Sequence, residues 1–237
     1  MNKKMLSSLL VIKSALGTVY GATASTSMSD YGERVINGEA TEMSLKGLKA
    51  MEAENYQEAY RLFLPAAELQ DDTAEYYLGY LHYNGLGVDY DYEEAFKWYQ
   101  ISAMHGNPRA QNALGDMYFI GMGIEQDIDR AFNWYVESAL NGDASGQYNL
   151  GEMFYIGDHA EKNYEEAYKW FVKSASQGND WALYRLGQMY YYGNGVEKNP
   201  EESYKWFVKA AYGGNVRAQA QLGFMYYIGE GVPKNSV

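Results

Sequence analysis

The chain has 237 residues, is 47% apolar, and carries 25 Tyr against 8 Phe and 5 Trp. Its formal net charge of −12, without any Lys/Arg cluster, argues against nucleic acid, which needs a basic patch or stripe. It has no Cys, which excludes a disulfide framework and thiolate chemistry.

The first residues are Met1-Asn2-Lys3-Lys4, followed by the apolar segment Leu6–Ile12 and, after Lys13, Ala15–Gly21. The segment closes on Ala22-Thr23-Ala24. A basic start, an apolar stretch and a small-x-small end form the pattern of a cleaved secretory signal peptide, here over residues 1–24. Lys13 interrupts its apolar stretch. Later in the chain nothing approaches the roughly 18 apolar residues of a membrane span. A periplasmic or secreted protein with no membrane insertion after cleavage is expected. Residues 25–41 are rich in Ser, Thr, Gly and Glu, lack periodicity and read as a linker.

From Glu42 a helical pattern begins, with Leu45, Leu48 and Met51, then Tyr56, Ala59, Tyr60, Phe63 and Ala67. It reads as two helices broken near Asn55. The first of them lacks the Leu-Gly pair of the later text, so residues 42–70 read as an atypical terminal unit. Beyond it the chain repeats itself. Leu78-Gly79, Leu114-Gly115, Leu150-Gly151, Leu186-Gly187 and Leu222-Gly223 recur at a step of 36 residues, as do Trp98, Trp134, Trp170 and Trp206. A period in that range marks a solenoid. Four full units span 71–106, 107–142, 143–178 and 179–214, and a partial one 215–237.

Each unit can be derived locally. The first helix, A, opens on Asp71, Asn107, Asp143, Asn179 or Asn215, side chains that accept from free first-turn amides. The Gly after Leu lies inside that helix, at a cost of about 1 kcal/mol against Ala. Its recurrence implies a neighbour too close for a side chain. Helix A ends at Gly-x-Gly, as in Gly85/Gly87 and Gly193/Gly195, which permits left-handed backbone. The third unit departs with Gly157-Asp158-His159. Helix B opens on Asp91, Asp127, Asn163 or Asn199. Glu94, Glu166 and Glu202 follow three residues on, an arrangement that suits a capping box. The phased tryptophans read as core. The final unit reaches only its loop, so one flank of its A helix is expected to stay open, with self-association through that end as one outcome.

Leu-Gly-x-Met-Tyr, Gly-x-Gly-Val, Ala-x-x-Trp and the small pairs Ser174-Ala175 and Ala210-Ala211 resemble the Sel-one-like repeat family, relatives of the tetratricopeptide repeats. The resemblance covers about Asp71 to Lys234. It implies an all-α fold, a right-handed α-solenoid of antiparallel helix pairs whose A helices line the concave side. It also implies adaptor roles, and in bacteria often an exported protein.

Residues that could carry chemistry are few. Glu93-Glu94, Glu165-Glu166 and Glu201-Glu202 repeat at one helix start and read as caps rather than a general acid–base pair. His82, His105 and His159 lack the spacing of a helical metal pair, so no metal and no cofactor is expected. The Gly-x-Gly loops follow helices, not strands, and are no nucleotide fingerprint. Some cysteine-rich relatives were described as β-lactamases, but neither Ser-x-x-Lys nor Gly-x-Ser-x-Gly occurs. The expectation is a non-catalytic interaction scaffold, against the alternatives of a β-lactamase-like or other envelope enzyme and of a glycan-binding module.

In related repeats the concave face uses positions five and two before, and two and five after, the Leu of Leu-Gly. Carried over, this gives Tyr76, Tyr80, Arg109, Asn112, Asp116, Tyr148, Glu152, Trp181, Tyr184, Gln188, Arg217 and Phe224 as the expected contacts for a protein or peptide partner. Offsets of three and four place them on one helical stripe. The last aromatic of each set (Tyr83, Phe119, Tyr155, Tyr191, Tyr227) reads equally well as packing between repeats.

Overall fold

The computed structural model describes residues 29–157 and 161–233. The leader read over residues 1–24, His159 and Asn235 lie outside them. Among the described residues there are 11 α-helices and no strand. They are α1 (Ser29–Glu52), α2 (Tyr56–Glu68), α3 (Asp72–Asn84), α4 (Tyr92–Met104), α5 (Pro108–Ile120), α6 (Ile128–Leu140), α7 (Ala144–Ile156), α8 (Tyr164–Ser176), α9 (Asp180–Tyr192), α10 (Pro200–Tyr212) and α11 (Val216–Ile228). By contacts the chain divides into residues 1–38 and 39–237. In the second unit the A helices α3, α5, α7 and α9 each pack on the B helix that follows, and each B helix on the next A helix. The result is an all-α solenoid. One boundary differs from the sequence reading: α1 is already helical across residues 29–41, where composition suggested a linker.

The caps form where the sequence places them. Asp71, Asp143, Asn179 and Asn215 accept from the amide three residues on, and Asn107 from Arg109 and Ala110. Asp91, Asp127, Asn163 and Asn199 do the same for the B helices. The capping box does not form. Glu94, Glu166 and Glu202 instead pair with Lys97, Lys169 and Lys205 at 2.9, 3.0 and 2.8 Å on the exposed helix surface. The cap's own amide is used elsewhere. Asp91, Asp127, Asn163 and Asn199 donate their backbone N–H to carbonyls near the end of the preceding A helix, those of His82, Tyr118, Phe154 and Tyr190. These bonds, 2.8–3.1 Å long, close the long interhelical loop. With the amide satisfied by backbone, the Glu side chain is released to the surface.

The two glycine motifs have distinct packing reasons. A Cβ on Gly79, Gly115, Gly151 or Gly187 would come within 2.7 Å of a ring atom of Tyr99, Tyr135, Phe171 or Phe207 on the paired B helix. The missing side chain is therefore the slot for an aromatic ring. The terminal unit has the same device, contrary to the sequence reading. Gly47 faces Phe63, whose ring lies 2.5 Å from the position a Cβ would take. Its loop is shorter, which shifts the glycine out of phase and hides it from the repeat. Gly223 on α11 has nothing within 4 Å of that position. In the loops, Gly87 and Gly123 have φ of +71° and lie against the backbone of Tyr56 and Tyr92 at the start of the previous B helix. A Cβ there would meet strained backbone and collide with the preceding repeat.

The core follows these slots. Phe63, Phe171 and Phe207 are wholly buried, together with Leu78, Leu114, Leu150, Leu186, Met117, Met189 and Met225. The tryptophans are a correction. Trp170 is buried, but Trp98, Trp134 and Trp206 are only half-buried. Lys173 and Lys209 lie over Trp170 and Trp206, with Nζ 3.9 and 4.3 Å from the ring centroids. The residue after each Trp is the one that reaches the glycine slot.

Polar ladders tie each pair of helices. Ser102, Ser138 and Ser174 donate to the carbonyls of Asp72, Pro108 and Ala144 at 2.6–2.7 Å. Asn141 donates to Gln111, and Gln177 to Gln147, each at 2.9 Å. In the first full unit the same place holds the buried Glu75, with the more exposed His105 2.8 Å away. Burial raises the Glu75 carboxyl, while the His105 hydrogen bond pulls it back. His105 is thus a hydrogen-bond partner of Glu75.

Candidate partner-binding face

The expected contact residues divide into three groups. The first surrounds a groove of about 380 Å³ between α3 and α5. It gathers Tyr76, Tyr80, Arg109, Asn112 and Asp116 from the expected set. It also brings in Tyr83, the last aromatic of its set, and Tyr99 and Asp143, which stand elsewhere in the repeat pattern. Tyr99 is the aromatic that fills the Gly79 slot, so its ring floors the groove from α4. Its centroid is 5.7 Å from that of Tyr76 and 6.4 Å from that of Tyr83.

Asp116 is the groove's central charge. Its Oδ1 accepts from Tyr135 Oη at 2.8 Å and Asn149 Nδ2 at 3.1 Å, and its Oδ2 from Asn112 Nδ2 at 3.1 Å. All three donors are neutral. Burial pushes the Asp116 carboxyl up to about 6, with Asp143 adding to the rise and the three hydrogen bonds opposing it. Asp143 caps α7 through Gly146, and burial raises it as well. Burial also pushes the hydroxyl of Tyr76 up to about 12, so it stays neutral as a donor.

The second group lines a neighbouring groove of about 300 Å³ that shares Asp116 and adds Phe119, Tyr135, Tyr148, Asn149 and Glu152. Here the sequence expectation needs correcting. Glu152 is occupied by Arg185 of the next A helix, with Nε–Oε1 2.6 Å and Nη2–Oε2 2.5 Å. Arg185 Nη1 also donates to Gln188, whose Nε2 donates to the hydroxyl of Tyr184. Tyr184 is buried. Glu152, Gln188 and Tyr184 therefore form an internal network rather than an open contact surface. Burial raises the Glu152 carboxyl, and the Arg185 guanidinium pulls it down again.

The third group is exposed. Trp181 and Phe224 are 41% and 48% accessible, and Arg217 stacks on Trp181 with its guanidinium 5.2 Å from the ring centroid. Tyr148 is half-buried against Phe171. Four of the last aromatics of the sets divide as their positions allow. Tyr83 donates to Met122, Tyr191 to Glu230, and Tyr155 accepts from Asn194, each reaching the loop of the next repeat. Tyr227 is 89% exposed.

Sequence reasoning missed the residue just before each Leu. Asn149 reaches back to Asn112 and Asp116, and Arg185 to Glu152. A signal was present. Asp116 and Asn149, like Glu152 and Arg185, are 33 residues apart. That is one period less three, close to one helical turn, which sets the position after one Leu beside the position before the next. Polar residues at such an offset are partners across the A-helix row.

Sel1 repeats are matched over residues 38–71, 73–107, 108–143, 144–179, 182–215 and 216–237. The chain is similar to c5321, a protective antigen of uropathogenic Escherichia coli strains displaying an SLR fold, at 35% identity and a TM-score of 0.73 over 89% of this chain and 46% of that one. It thus spans about half the length of that relative. A Sel1 repeat protein from Oxalobacter formigenes is 31% identical with a TM-score of 0.70, over 80% of this chain and 78% of that one. A sel1 repeat protein from Klebsiella pneumoniae, 19% identical with a TM-score of 0.55 over 84% and 98%, shares the fold. None of the curated proteins matches the chain. Sel1 repeat proteins are typically non-catalytic scaffolds for protein–protein interaction. Among the described residues no helix is long and apolar enough to cross a membrane. With helix pairs, glycine slots and six matched units in agreement, the chain belongs to the Sel1 repeat family.

Proposed function

We propose that the chain is a non-catalytic scaffold that holds a polypeptide partner along its A-helix face. The observation that supports it is the arrangement of that face. Two grooves share Asp116, and beyond them stand Trp181, Arg217 and Phe224, large side chains left accessible above internally satisfied ladders. Aromatic and Arg side chains of this kind form the energetic centres of interfaces. The test is site-specific photocrosslinking. A benzophenone side chain at position 181 is expected to capture the partner in the native cell. The same group at position 205, where Lys205 stands on the exposed side of a B helix, is expected to capture none. Capture from 205 alone would move the site to the other face.

Export is a further part of the proposal, supported by the basic, apolar and small-x-small order of residues 1–24. Intact mass of the protein from an envelope fraction should give an N-terminus near Ser25. A cytoplasmic chain still beginning at Met1 would end this part.

A further inference from the structure

Asp116 is in an unusual position for a surface-groove carboxylate. Its three hydrogen-bond donors are neutral amide and phenol groups. Around the groove it faces stand the rings of Tyr76, Tyr80, Tyr83 and Tyr99. The wall also holds one basic residue, Arg109, and a second acid, Asp143. Arg109 acts on Asp143 and Tyr76, whose ionised forms it favours. The groove therefore carries two acids against one base, in a chain whose net charge is −12. Contrast Glu152, one repeat along in the same column, which has its cation in Arg185. The corresponding position for Asp116 is filled by Asn149, which supplies a hydrogen bond but no charge.

Aromatic faces attract cations through their quadrupole, most strongly where water is displaced. A carboxylate set among such rings gives the site a direction, since it can form a charge-assisted bond to an ammonium or guanidinium. We propose that this groove receives a Lys or Arg side chain of the partner polypeptide, with Asp116 accepting from its cationic head and the tyrosine rings flanking its stem. The groove volume of about 380 Å³ is ample for one such side chain and its flanking backbone. The inference rests on the A-helix face being the binding face and adds the chemistry of what that face selects. Arg109 then acts as a selectivity element. It repels a second cation and holds the basic residue to a single place.

The test uses the full chain as bait for a phage-displayed random dodecapeptide library, followed by fluorescence polarisation with the enriched peptides. Those peptides are expected to share one Lys or Arg. Changing that residue to Gln should weaken binding about tenfold, and so should Asp116→Asn in the protein, since charge-assisted bonds of this kind are worth about that much. The two changes together should lose little more than either alone, because they remove the same bond. Arg109→Gln should tighten the same peptides several-fold. Asp116→Asn should stay folded at pH 7.5, because its amide oxygen still accepts from Tyr135 and Asn149 while relief of the buried charge offsets the bond lost from Asn112. Groove binders that are lost with Trp181→Ala yet share no basic residue, or that ignore Asp116→Asn, would overturn this inference and leave the binding face standing. No enriched peptide, with crosslinks formed only from position 205, would overturn both.

Discussion

Phe171→Ala is expected to lower the free energy of unfolding by about 3–5 kcal/mol, the range for a large buried aromatic. The ring is wholly buried and fills the slot above Gly151. It also lies 5.9 Å from Tyr148 and 6.2 Å from Tyr155 by ring centroids, so its loss loosens the half-buried wall of the second groove. In a solenoid each repeat is stabilised by its neighbours, so the damage should spread beyond α7 and α8. Trp170→Ala is expected to cost less. Its ring is buried outside the glycine slot, its Nε1 has no hydrogen-bond partner, and the Lys173 side chain that covers it can partly fill the gap. The reverse experiment uses the same slot. At Gly151 an added Cβ meets Phe171, whereas at Gly223 it meets open space. Gly223→Ala should therefore stabilise, by up to about 1 kcal/mol from helix propensity. Gly151→Ala should destabilise, because overpacking outweighs that gain. Urea titrations followed by far-ultraviolet circular dichroism measure all four variants. A Phe171→Ala protein that melts like wild type would remove the ring from the core.

Arg185→Met is expected to destabilise by about 3 kcal/mol, because it strands a largely buried carboxylate. The side chains of Arg185 and Glu152 are 22% and 16% exposed, and the guanidinium is held by both carboxylate oxygens and by Gln188. The pair joins α7 to α9 across the A-helix row. Adding Glu152→Gln to Arg185→Met should recover most of the loss, since a buried pair replaced as a whole is often close to neutral. The pH dependence has a definite sign. Burial raises the Glu152 carboxyl and Arg185 opposes the rise, so removing Arg185 raises it further. An acid raised in the folded state costs stability where it is ionised, and the cost fades as pH falls through its folded pKa. The deficit of Arg185→Met should therefore be larger at pH 8 than at pH 5. Equal deficits at both would mean that the loss comes from the contact of the Arg185 guanidinium with the Tyr155 ring and not from the stranded charge.

Much of the architecture was legible from local text alone. The phased Leu-Gly pairs, the Asn and Asp caps and the Gly-x-Gly ends each act within one helix or one turn. Their chemistry is complete in a short stretch of chain, and the 36-residue step then dictates a stack. The stripe of candidate contacts was legible for the same reason, since residues three and four apart share a helix face. What could not be read was how that face is used. Glu152, Tyr184 and Gln188 look as available in the sequence as Tyr80 or Asp116. Only the approach of α9 to α7 joins Glu152 to Arg185, which Gln188 also holds within α9, whereas Asp116 meets Asn149 at the same place and keeps neutral donors.

By itself, then, the sequence determined the all-α repeat, its unit length, its helix ends and the residues on the A-helix face, because these follow from hydrogen bonding and periodicity within each unit. The tertiary structure alone decided the rest. Trp170 and Phe171 are apolar neighbours, and the packing of α8 against α7 sends the second into the Gly151 slot while the first is buried outside it, under Lys173. Glu166 has the spacing of a capping box, yet the Asn163 amide is taken by the Phe154 carbonyl and the Glu turns to Lys169. In each case the local text allowed two arrangements, and the choice between them was made by the element that packs against them.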